Sequence, residues 1–90
     1  MATNINFTAS GNQYVGTFQA LKAVKIQIEM NKSDIILIGI KDPSGTDYDD
    51  CKQFNKPTLC VDFKAEVYPT DIRITCGSMP TLAKYQEASE

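Results

Sequence analysis

Val24, Ile26, Ile28 and Met30 alternate with Lys25, Gln27 and Glu29, a strict period of two. Successive side chains of a strand point to opposite faces, so such a run buries one face and wets the other. The same alternation returns at Leu59-Val61-Phe63-Ala65-Val67 and at Ile72-Ile74-Cys76. Nowhere does a comparable stretch carry the period of about 3.6 that marks an amphipathic helix. These runs predict an all-β, antiparallel chain.

Turn chemistry divides the remainder. Residues 4–9 alternate, with Ile5, Phe7 and Ala9 on one side, and Ser10-Gly11-Asn12 leads into a strand over 13–19. Gly16, between Tyr14 and Phe18, marks a bulge or a close approach by a neighbouring backbone. Asn31-Lys32-Ser33-Asp34 has the length and composition of a tight hairpin link between strand 22–30 and strand 35–41. The second of these is apolar on both sides, which suits a central strand or one whose outer face meets a partner. Asp42-Pro43-Ser44-Gly45 is a turn, because proline presets φ and aspartate bonds its own backbone. Residues 48–54 form a short edge strand or loop that Asn55-Lys56-Pro57 breaks; 58–67 is a long strand, Tyr68-Pro69-Thr70 a corner, and 71–76 the last core strand. About six or seven strands, with turn signals every 8–12 residues or so, predict a small antiparallel β-sandwich of jelly-roll or immunoglobulin-like type. The domain spans 1–80, and 81–90 is a short C-terminal tail or arm.

Ninety residues allow one core. A chain this short buries only roughly two-thirds of its unfolded surface, so docking or self-association is a natural source of extra stability. Net charge is −2 with the cationic residues scattered, which argues against a nucleic-acid partner. There is no basic, apolar leader at the N-terminus, and the longest apolar run, 35–40, is too short to span a membrane. Synthesis in a cytoplasm, without a membrane partner, is the expectation.

The chain has no histidine, which removes imidazole catalysis and imidazole metal ligands. Its three cysteines lack a Cys-x-x-Cys spacing. Cys60 falls with Asp62 and Lys64 on the wet face and Cys76 with Ile72 and Ile74 inside, so free thiols are expected, with a Cys51–Cys60 or Cys60–Cys76 bridge as the alternative. One acidic turn stands out. Asp42, Asp47 and Asp49 are calcium candidates, since calcium takes carboxylate and carbonyl oxygens from tight loops, although their spacing is not that of the helix-loop-helix calcium loop. No cofactor and no enzymatic activity are expected. Phe7, Phe18 and Phe63 belong to strands and read as core; Tyr48, Tyr68 and Tyr85 fall in loops or the tail, where rings suit interfaces.

From Leu37 onward, Ile38-Gly-Ile-Lys-Asp-Pro-Ser-Gly45 runs into Thr46-Asp-Tyr-Asp49, then a long alternating strand, then Val67-Tyr-Pro-Thr-Asp-Ile-Arg-Ile74. Over roughly residues 22–77 this order is similar to the small β-sandwich modules of bacteriophage virion proteins, the head decorations, head fibres and tail fibres. In those modules a strand ends in a D-x-S-G-type turn near an aromatic and a late strand carries an aromatic-x-R-I sequence; here Tyr48 and Ile72-Arg73-Ile74 stand at the corresponding places. The resemblance implies a non-enzymatic virion component, such as an auxiliary or decoration capsid protein, contacting other virion proteins or further copies of itself. The contacts expected are Ile5 and Phe7, Ile35 and Leu37, Tyr48, Leu82 and Tyr85. A carbohydrate- or calcium-binding module is the alternative function, and a phage-encoded inhibitor of a host protein a further one.

Overall fold

A computed structural model describes residues 2–88. Its strands are β1 (Thr3–Asn4), β2 (Phe7–Ser10), β3 (Gln13–Ala20), β4 (Val24–Lys41), β5 (Asp49–Phe63), β6 (Thr70–Cys76) and β7 (Leu82–Glu87). All pairings are antiparallel, and the order across the sheet is β1-β7-β4-β6-β3-β2, with β5 on β4 outside that path. The expected all-β, antiparallel class holds; the strands join in one curled sheet.

Its two ends are consecutive pieces of the N-terminal segment. β1 pairs with β7, Thr3 opposite Tyr85, while β2 pairs with β3, Phe7 opposite Gly16. Between them the Ile5 N–H donates to the Ala83 carbonyl at 2.9 Å. One stretch of chain thus closes the curl. Gly16 allows it: a Cβ there would stand 2.8 Å from Ile5 Cγ2 and 3.1 Å from the Asn6 carbonyl oxygen, the close backbone approach that its sequence setting announces. Gly11 supplies the other special conformation, with φ 64° at the first central position of a two-residue hairpin turn.

The polar run 31–34 is not a hairpin link. β4 continues through it and carries the sheet round a corner, and the strands expected at 22–30 and 35–41 are its two arms. The register with β5 passes from Glu29 opposite Thr58 to Asp34 opposite Lys56, so four residues of β4 stand against Pro57 alone. Proline has no N–H to give to a ladder, and the corner is where none is needed. β5 therefore crosses Pro57 instead of breaking there, and ends at Phe63. The first arm of β4 pairs with β7 and the second with β6, which lets the sheet fold onto itself.

The enclosed core is mainly aliphatic: Ile26, Ile28, Ile36, Ile38, Ile72 and Ile74 have no exposed surface. Full burial of such a side chain stabilises by about 1.5–3 kcal/mol. Phe18 of β3 and Tyr85 of β7 stack across the interior, with ring centroids 3.9 Å apart and planes 8° from parallel. Residues 82–87 are accordingly a strand of the body, and the expected division at residue 80 is corrected, because Thr81 and Leu82–Glu87 bond to β4 along its whole first arm. Residues 89 and 90 of the expected tail lie outside the described residues.

Candidate functional site

Because β5 bends with β4 at Pro57, both of its ends line one groove of about 620 Å³. Its apolar lining comes from Ile40, Phe63 and Ala65, with Val67 exposed beside them. The rim is acidic at Asp42, Asp47 and Asp49 and basic at Lys41, Lys52 and Lys64. Below it the 64–69 corner is fixed by its own bonds: the Ala65 N–H donates to the Tyr68 hydroxyl at 2.8 Å, and the Thr70 hydroxyl donates to the Val67 carbonyl.

The three calcium candidates line this groove. Among the described residues no three or more Asp, Glu, Cys or His side chains are gathered in a metal-holding group. Asp42 is already engaged, since its Oδ1 accepts the Ser44 N–H at 2.9 Å and the Ser44 hydroxyl at 2.8 Å. Those two bonds, the backbone one first, hold its pKa below the ordinary carboxylate value, so it stays ionised. A proton donor would need the opposite environment.

Tyr48 lies against the sheet. Arg73 sits over its ring at 4.8 Å from the centroid, and the Lys41 ammonium is 5.4 Å from it. Arg73 pairs with Asp50 at 3.2 Å, Lys41 pairs with Asp71 at 3.2 Å, and Gln19 donates to the same Asp71 carboxylate at 3.2 Å. Gly39 makes room for this arrangement, because a Cβ there would meet Asp50 Oδ1 at 2.7 Å. Ion pairs at a protein surface are worth about 0–1 kcal/mol and exposed cation–π contacts about 0.5–1 kcal/mol. Together they pin the 42–48 loop onto the sheet.

The remaining expected contact residues divide. Ile5 is buried, 6% exposed, and Phe7 and Tyr85 pack against the core. These three help close the curl, and Ile5 keeps almost no surface for a partner, while Phe7 and Tyr85 remain half-buried. Leu82 is half-buried opposite Glu29 in the β7 ladder. Ile35 and Leu37 lie on the outer face of β4 and are half-buried, Leu37 between Gln53 and Thr75. The structure does not bring the seven into one surface.

Cys51 and Cys60 are free and exposed, Cys76 free and buried, so no bridge forms and the facing of Cys60 and Cys76 is as expected. Burial, helped by the charge of Asp34, pushes the Cys76 thiol up to about 12. Asp34 is itself tied, its Oδ2 accepting the Ser78 hydroxyl at 2.6 Å and its Oδ1 the Ile35 N–H at 2.8 Å; both bonds, Ser78 first, lower its pKa.

Sequence reasoning placed an edge strand or loop at 48–54 but missed that the free edge of β5 continues through Pro57 to Phe63, with β4 as its one partner strand among the described residues. Pro57 was the available signal, since proline inside a strand marks an edge or a bulge. Searches of protein-family models, curated proteins and solved structures find no match to this chain.

Proposed function

We propose that this chain is a non-enzymatic structural component of a bacteriophage particle, an auxiliary or decoration protein of the capsid, working through protein–protein contacts. The observation that carries the reading is the 15-residue edge strand β5, paired on one side and bordering a groove of mixed apolar and charged lining. An open edge offers a row of N–H and C=O groups to another chain, and strand addition at such an edge is a recurrent mode of assembly. The turn at 42–45 with Tyr48 and the Ile72-Arg73-Ile74 strand add the likeness to virion modules. A particle component gains stability by symmetric docking onto neighbours, which suits a domain of this size.

The test is quantitative mass spectrometry of purified particles. A fixed number of copies per particle, retained through density-gradient centrifugation, is expected; absence from infectious particles overturns the reading. Calcium titration followed by thermal melting addresses the alternative. With Asp42 committed to Ser44, the melting temperature is expected to stay unchanged at millimolar calcium, whereas ligand linkage at a true site would raise it.

A further inference from the structure

The free edge of β5 has two unlike halves. From Asp49 to Pro57 it carries features that blunt an edge: a register shift between Ile38 and Gly39, charges at Asp50, Lys52 and Lys56, and a proline. From Thr58 to Phe63 the ladder to Glu29–Val24 is unbroken. Leu59 and Phe63 are 1% and 3% exposed on its inward face, while Val61 between them remains half-buried. Thr58, Cys60 and Asp62 are exposed on the outward face.

The geometry points to a second copy of this chain as the occupant: Thr58–Asp62 pairs with the same segment of its partner, antiparallel, about a two-fold axis at Cys60. The segment is complementary to itself in this register. A two-fold axis perpendicular to the sheet keeps inward faces inward, so it must pass through a residue, and few positions are open. An axis at Leu59 would draw Pro57 into the ladder, where it has no N–H to give. An axis at Asp62 would set two carboxylates directly opposite. An axis at Val61 would set Asp62 against a thiol and carry Lys64, beyond the strand, opposite Thr58. At Cys60 each Thr58 hydroxyl faces an Asp62 carboxylate, Leu59 faces Val61, and the two thiols meet at the centre.

Five paired residues cover far less than the roughly 1,200–2,000 Å² of a stable interface, so the dimer is weak and forms at high local concentration. The pairing does not depend on the particle reading and can be tested apart from it. Sedimentation velocity from micromolar to millimolar protein is expected to show a monomer–dimer equilibrium. A short bis-maleimide is expected to join two chains in wild type and in Cys51→Ser, and not in Cys60→Ser.

Charge at position 58 fixes the register. Thr58→Lys, opposite Asp62 of the partner chain, is expected to tighten the dimer by about threefold to tenfold, and Thr58→Asp to weaken it by a similar factor. An axis at Val61 reverses both signs, because position 58 then faces Lys64. Thr58 is exposed, and thermal melting of both variants checks that the fold persists. A wild type that stays monomeric at millimolar concentration, cross-linking through Cys51, or reversed signs at position 58 overturns the inference.

Discussion

Tyr85→Ala tests whether the C-terminal segment belongs to the folded body. The ring is half-buried and lies on Phe18 with centroids 3.9 Å apart. Truncating a half-buried aromatic withdraws about 100 Å² of apolar surface, which at ~25 cal/mol/Å² is ~2.5 kcal/mol. The stacking geometry adds about 0.5–1.5 kcal/mol beyond area. Alanine at 85 should therefore cost about 3–4 kcal/mol, a drop in Tm of roughly 12–30 °C for a domain of this length. Urea unfolding followed by far-ultraviolet circular dichroism gives the free energy. A double-mutant cycle with Phe18→Ala isolates the stack, with a coupling of about 0.5–1.5 kcal/mol expected. If Tyr85→Ala unfolds within about 0.5 kcal/mol of wild type, or the two losses simply add, the ring does not join β7 to β3 and the closure argument fails.

Gly77→Ala should destabilise, since the new Cβ collides with an Asp34 carboxylate held by Ser78 and the Ile35 N–H, and those bonds must break; urea unfolding reads it. Gly16→Ala should be costlier than an exposed glycine replacement, because Ile5 and the Asn6 carbonyl occupy the space, and hydrogen exchange of the Ile5 amide should accelerate with it. The Cys76 thiol titrates at about 12 in the fold against 9.0 ordinarily, so its contribution is intact below pH 9 and is lost as pH rises towards 12. Wild type should lose up to ~1.4 kcal/mol per pH unit in that window relative to Cys76→Ala, measured as the difference between their denaturant midpoints across pH. Asp34, with its pKa lowered, contributes stability that is present above the ordinary carboxylate range and lost as pH falls through its folded value; Asp34→Asn should flatten the acid limb of the pH–stability curve.

What could be read from the sequence follows the physics of locality. The alternation at 24–30 and 72–76 is local, and the strands stand where it places them. Asn31-Lys32-Ser33-Asp34 has the chemistry of a turn, and the chain does turn there, but as a corner within one strand. The choice rests on Pro57, residues away in sequence and opposite in the ladder. β7 was hidden for the same reason: Leu82-Ala83-Lys84-Tyr85 has little pattern alone, and its strand character comes from β4 and β1. At the acidic turn, closeness in sequence did not become convergence in space, because Ser44 takes the Asp42 carboxylate.

The pairing of Thr3 with Tyr85 has a consequence for the order of events in folding. A chain released from the ribosome one residue at a time cannot close this curl until β7 has emerged. Until then β4 waits with Leu82–Glu87 missing from its first arm, and the N-terminal segment has only β3 to hold. Contacts of such long sequence separation slow folding and expose unpaired edges while they form. A circular permutant that links β7 directly to β1 and opens at the 42–48 loop would make the closure a local hairpin. It is expected to reach the same fold faster.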